Sequence, residues 1–192
     1  MIQRISAKIV QALIINSQID VDDDQKEVYI YGMECFINTA VPVIVLFVWA
    51  VYIGCIPETF IWIVSFTLLR KFTGGYHASS QMKCIGGSIL LGVINTFVAR
   101  YIDISTIGII GIYSFCLAVS VLVCPIVSKQ KVFSHREQIR NKVWAIIIII
   151  AYACLTMVTP KNIGNSLIYA TSVTILLVVF YVVKKNRSSY IH

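Results

Sequence analysis

The chain has 192 residues, with 58% hydrophobic and only 13% charged side chains, and a formal net charge of +7 from 16 Lys and Arg against 9 Asp and Glu. Soluble domains average about 25% charged residues, and at a mean hydropathy of +0.82 a globule of this length has too little interior to hide its apolar surface. A soluble enzyme, a disordered tail and a secreted disulfide scaffold are excluded; the composition is that of an all-α polytopic membrane protein.

In chain order, the first element is a short helix. Ile2, Ile5, Ile9, Leu13 and Ile14 recur at helical spacing, with Gln3, Arg4, Lys8 and Gln11 on the other face. A basic amphipathic helix of this kind suits the membrane interface or a partner's surface; packing against the protein's own cytoplasmic side is the plainer alternative. No cleavable signal peptide is expected, because the run from Val10 to Ile15 is short and broken by Gln11. DVDDD at 20–24 is a break, and Asp24 with Glu27 resembles a capping box that opens a second helix leading into the first span.

Six apolar stretches follow, near 36–56, 59–69, 84–99, 104–127, 143–159 and 163–183. A spanning helix needs about 20 apolar residues. The first, fourth and sixth satisfy this, and the fifth is slightly short but carries five consecutive isoleucines. The second and third are shorter, about 16 and 24 Å at the helical rise, and short enough to be partly re-entrant. Polar backbone at membrane depth survives only where protein or a water-filled cavity surrounds it. The segment RKFTGGYHASSQMKC between these two is therefore expected in a sheltered pocket near one membrane face. With no repeat or internal boundary visible, 1–192 reads as one domain: N-terminal helices over 1–35, membrane helices over 36–183, and a tail over 184–192.

Six spans put both termini on one side, with loops 70–83 and 128–142. That side collects 14 of the 16 Lys and Arg residues, leaving Arg100 and Lys161 opposite. Basic residues mark the cytoplasmic face, so both termini and loop 70–83 are expected there. The same bias explains the net charge without nucleic acid.

The chemistry-bearing residues concentrate in that loop. His192 is terminal, and His135 lies among Lys131, Arg136 and Arg140 in a solvated basic loop. His77 follows Thr73-Gly74-Gly75 and stands seven residues before Cys84. On one continuous helix they would be about 10 Å apart along the axis, too far for a thiol–imidazole hydrogen bond. The paired glycines instead permit a turn before His77, with Ser79 or Ser80 as N-cap of the third span's helix and Cys84 in its second turn. A helix N-terminus and nearby cations favour a thiolate, and Arg70, Lys71 and Lys83 supply the charge. This is the setting of a cysteine nucleophile with a histidine base. Cys55, Cys116, Cys124 and Cys154 fall in apolar spans, and Cys35 adjoins Glu34. All six cysteines are expected free, because none forms a CxxC pair. A zinc site would need two more ligands at suitable spacing, and none is visible; no cofactor or metal is expected.

The stretch Arg70-x4-Gly75-x-His77-Ala78-x-Ser80-x3-Cys84 resembles the active-site segment of the accessory gene regulator protein B (AgrB) family. The likeness extends over the chain: its length, its polar N-terminus with Tyr31-Gly32-Met33-Glu34, its short second and third spans, and Pro125 followed by Lys129 and Lys131. The basic cluster after Lys131 is sparser than in the family. The resemblance implies a multi-pass cell-membrane cysteine endopeptidase of a Gram-positive bacterium that processes a quorum-sensing peptide precursor of the AgrD type. Cys84, with His77 as base, would cleave the precursor through a thioester, and a precursor side chain would close a thiolactone or lactone ring. Donors to the oxyanion would be backbone N–H groups at the helix start and the Gln81 side chain.

Several supporting residues keep two readings. Arg70 either holds the catalytic loop or the precursor's acidic tail, or anchors topology at the interface. Gly75 serves backbone geometry. Glu34 contacts substrate or is a solvated juxtamembrane carboxylate. Lys129 and Lys131 steer an anionic peptide or simply satisfy the positive-inside rule. The expected partners are the peptide precursor and the lipid bilayer, with a homodimer possible. A transporter would need ionisable residues in several spans, which the long spans almost lack; a non-catalytic scaffold that binds a peptide partner would be indifferent to Cys84 and His77.

Overall fold

A computed structural model describes residues 2–17, 21–74, 81–125 and 134–189, and all its regular structure is helical. The helices are α1 (Ile2–Ser17), α2 (Asp23–Ile53), α3 (Ile56–Thr73), α4 (Gln81–Tyr101), α5 (Thr106–Val123), α6 (His135–Val158) and α7 (Lys161–Ser189). Five of these, α2 and α4–α7, are long and apolar enough to cross a membrane. Helix α3 is the sixth member of the bundle; its 18 residues include Glu58, Arg70 and Lys71, whereas each of the other five holds an 18-residue apolar stretch with at most two charged residues.

The second and third spans are longer than their apolar runs suggest. Helix α3 has 18 residues and α4 has 21, about 27 and 31 Å of rise against roughly 30 Å of hydrocarbon. The apolar count stopped at charged residues that the helix continues through. Glu58 and Thr59 at one end of α3 and Thr73 at the other are all buried by neighbouring helices, so the bundle, not water, accommodates them. Each is a continuous helix over its described range.

Other boundaries moved for local reasons. Asp22, two residues before the expected cap, closes the start of α2 by accepting from the Gln25 N–H at 2.7 Å; several adjacent carboxylates compete for that role. As expected, α2 runs uninterrupted into the first span. It ends where Gly54 takes a left-handed conformation, φ 71° and ψ 36°, which costs glycine little. The loop expected over 128–142 is helical from His135. Ser134 accepts from the Glu137 N–H at 3.4 Å and Glu137 Oε2 accepts from the Ser134 N–H at 2.9 Å, a reciprocal cap that starts α6 two turns before its apolar run. Helix α7 likewise continues to Ser189, beyond the expected start of the tail.

Helix α7 is the axis of the fold. Half of its apolar window is buried, against 17–28% in the other four spans, and it packs on α3, α4, α5 and α6. One core cluster joins Leu69 of α3, Tyr113 and Cys116 of α5, Ile149 and Tyr152 of α6, and Leu167, Ile168 and Ile175 of α7. A second joins Leu46 of α2 with Trp62 and Phe66 of α3 and Ala170 and Val173 of α7. Large apolar side chains such as Ile44, Phe47, Val48 and Leu122 point outward, as a lipid-facing surface allows. Lipid supplies no hydrophobic drive between helices, so close approach and buried hydrogen bonds decide the contacts. A Cβ on Gly92 of α4 would meet both Leu46 methyl carbons at 2.5 Å, so α2 and α4 touch through that glycine. Thr171 and Thr174 turn their hydroxyls to the carbonyls of Leu167 and Ala170.

The three short connections lie at one end and are tied together by polar groups. Arg100 donates to the carbonyls of Ile53 and Gly54, and Lys161 pairs with Asp103. Asn165 donates to the carbonyls of Val98 and Ala99 in the last turn of α4 and of Ile102 just beyond it. Next to them, Asn162 donates to Glu58 Oε1 at 2.7 Å, and Asn95 donates to the Glu58 carbonyl and to Ser166 Oγ.

Candidate active site

The opposite end of the bundle carries the residues singled out for chemistry. Helix α3 closes at Thr73, fully buried, whose hydroxyl donates to the Leu69 carbonyl at 3.1 Å. Gly74 follows with φ 71° and returns its N–H to the Arg70 carbonyl at 3.0 Å, so the chain leaves the helix sharply. It re-enters helix at Gln81, directly after Ser80 in sequence. The two helices form an antiparallel hairpin, and its inner end brings together residues 14 positions apart, Arg70 and Cys84.

Arg70 sits in the last turn of α3, half-buried. Its guanidinium lies 5.5 Å from the centre of the Phe66 ring one turn earlier, a cation–π distance. The guanidinium lies within electrostatic reach of the Cys84 sulfur. Cys84 is the fourth residue of α4 and half-buried. The first turn of α4 thus presents a thiol beside the N–H groups of a helix start, with a cation across the hairpin. Lys83 and Lys71 are exposed on either side. Such an arrangement can place N–H donors at a developing oxyanion.

The other cysteines differ in setting. All six are free; Cys55, Cys116 and Cys124 are buried, and Cys35 is exposed. Cys154 was expected within an apolar span and is there, but it faces outward from α6 rather than into the core. Of the supporting residues, Glu34 lies half-buried on α2, next to Cys35, to which Tyr31 hydrogen-bonds. Gly75, His77, Ser79, Ser80, Lys129 and Lys131 lie outside the described residues, as does the side chain of Gln81. His135 opens α6 and is exposed, in keeping with a solvated residue. Among the described residues no group of three or more His, Cys, Asp or Glu could hold a metal ion.

Sequence reasoning missed the aromatic support for Arg70 and the buried polar cluster around Glu58. The first was legible as Phe66 and Arg70 at i, i+4. The second was signalled by Asn162, Asn165 and Ser166, which put polar groups on one face of an otherwise apolar helix.

A family model described as "Accessory gene regulator B" matches residues 4–183. The chain is 24% identical over 174 residues to an "AgrB-like protein" of Clostridium perfringens strain SM101, covering 85% of this chain and 81% of that one. A second C. perfringens relative, "AgrB-like protein 2", is 30% identical over 94 residues, 49% of this chain and 41% of its own length. The "Accessory gene regulator protein B" of Staphylococcus epidermidis is 22% identical over 120 residues, 61% and 62% of the two chains. No solved structure matches.

Proposed function

The chain belongs to the accessory gene regulator B family, and we propose that it is a membrane cysteine endopeptidase acting on a small peptide precursor, with Cys84 as nucleophile and His77 as general base. The observation that carries this reading is the position of Cys84, half-buried in the first turn of α4 and within electrostatic reach of Arg70 at the end of α3. It sets a half-buried thiol at a helix start beside a cation, in a segment whose sequence also supplies His77.

In this mechanism His77 takes the Cys84 proton and the thiolate attacks one backbone carbonyl of the precursor. The oxyanion is held by N–H groups at the start of α4, with Gln81 as a side-chain donor. His77 returns its proton to the leaving amine, and the C-terminal fragment departs. The remaining acyl group stays on Cys84 as a thioester until a cysteine or serine side chain of the same precursor attacks it. That step releases the Cys84 sulfur and closes a thiolactone or lactone. Water must be held off meanwhile, because hydrolysis would yield a linear peptide; a site between half-buried residues near the membrane surface favours this. Arg70 orients the hairpin and offers a cation for an acidic precursor tail. Lys129 and Lys131 steer the same tail, and Glu34 and Gly75 support substrate and loop. Both termini and this end of the bundle are cytoplasmic, following the 14-to-2 division of Lys and Arg.

The test is co-expression with the short open reading frame next to the gene, followed by mass spectrometry of the products. Cys84→Ala and His77→Ala are each expected to abolish cleavage at unchanged membrane levels, while Cys35→Ala and Cys154→Ala process normally. Processing by Cys84→Ala would overturn the peptidase reading and leave a scaffold or transporter.

A further inference from the structure

We infer that Glu58, with Asn95, forms a site for one small monovalent cation, a proton or a dehydrated sodium ion, at the short-connection end of the bundle. This inference is independent of the chemistry proposed for Cys84, which lies at the other end of α4.

Glu58 is 5% exposed and Asn95 is fully buried. One carboxylate oxygen, Oε1, accepts from Asn162; the other, Oε2, is buried and has no hydrogen-bond partner. Asn95 Oδ1 is buried and unpartnered too. The orientation of that amide is fixed by chemistry, because its other side faces the Glu58 carbonyl at 3.4 Å, which can only accept. The nitrogen must therefore point there, leaving Oδ1 as the surplus acceptor. Two adjoining residues on α3 and α4 thus each retain a buried oxygen with lone pairs and no donor. A buried oxygen in this state bears its desolvation penalty uncompensated, the more so when charged.

Glu58 is not explained as an ordinary helix cap. It is the third residue of α3, but the N–H it would reach, that of Cys55, already donates to the Ala50 carbonyl at 2.8 Å. Nor is it an ion pair. The charged groups at this end are Arg100 on α4, Asp103 in the following connection and Lys161 at the start of α7. Arg100 is bonded to the Ile53 and Gly54 carbonyls, and Lys161 to Asp103. A buried carboxylate without a counter-ion is costly, and a single positive charge bound to Glu58 Oε2 removes that cost. A proton would make Oε2 a donor; a sodium ion would take both surplus oxygens as ligands. Either would fasten α3 to α4 and, through Asn162 and Ser166, to α7.

The test uses the purified full-length protein in lipid nanodiscs. Thermal unfolding is followed against sodium chloride, with choline chloride holding ionic strength constant, and against pH in choline chloride alone. The expected result is a saturable rise in Tm with one of the two cations. A rise with sodium at fixed pH identifies sodium; a rise only on lowering the pH identifies a proton. Glu58→Gln supplies a neutral donor in place of the cation, so it is expected to fold and to lose the dependence, while Asn95→Ala, which keeps the carboxylate, weakens it. A native Tm that responds to neither cation beyond the response of Glu58→Gln overturns the inference, as does an undiminished response in that variant.

Discussion

The α2–α4 contact at Gly92 allows a quantitative test of how the helix of the proposed nucleophile is held. In Gly92→Ala the new Cβ would stand 2.5 Å from both Leu46 methyl carbons and 3.0 Å from Leu46 Cγ. Leu46 is only 1% exposed, so its branched end has little room to rotate away, and the helices must part. Overpacking of this kind costs about 1–3 kcal/mol. Leu46→Ala costs about 2–5 kcal/mol by itself, but it empties the space the new methyl needs. Gly92→Ala should then be nearly neutral in the Leu46→Ala background, giving a coupling of about 1–3 kcal/mol. Unfolding in mixed detergent, followed by the fluorescence of the three tryptophans, measures each corner of the cycle. Cys84 lies eight residues from Gly92, about 12 Å along α4. Parting the helices therefore shifts the thiol relative to Arg70, and a displacement near 1 Å can cost about 10²-fold in rate. Precursor cleavage should fall in Gly92→Ala and recover relative to Leu46→Ala in the double variant. If Gly92→Ala costs the same in both backgrounds, the contact is not what positions α4.

Asn165→Ala removes the donor shared by three carbonyls at and just beyond the end of α4 and is expected to destabilise by about 1–3 kcal/mol in the same unfolding assay; a neutral result would mean those carbonyls find other donors. Arg70→Lys keeps the charge but loses the planar stacking on Phe66, so cleavage should fall less than in Arg70→Ala, and equal losses would assign the role to the guanidinium shape. A small thiol reagent applied to the folded protein should modify Cys84 ahead of the buried Cys55, Cys116 and Cys124, and Arg70→Ala should slow that reaction; peptide mapping by mass spectrometry reads the order. In a background without native cysteines, Lys71→Cys should resist an impermeant reagent in intact cells while Ile102→Cys reacts. The reverse pattern would invert the topology.

The sequence by itself determined the membrane class and the succession of helices, and it singled out the segment proposed to carry the chemistry, because these depend on local composition. A run such as Val43 to Phe47 is apolar on every face whatever its neighbours do, and a His and a Cys seven residues apart are countable without coordinates. Helix starts were less legible. Ser134 with Glu137 begins α6 by hydrogen bonds that hydropathy does not register, and any of several adjacent aspartates could have capped α2. What only the tertiary structure decided is which polar residues the helices enclose. Glu58, Thr59 and Arg70 limit the apolar run of α3, yet α7, α4 and the Phe66 ring give them partners or cover, so the helix continues through them. Arg70 meets Cys84 because the hairpin turns after Gly74, and Glu58 meets Asn95 and Asn162 because α7 lies at the centre. Such meetings depend on distance between helices, a quantity that no periodicity along a single helix contains.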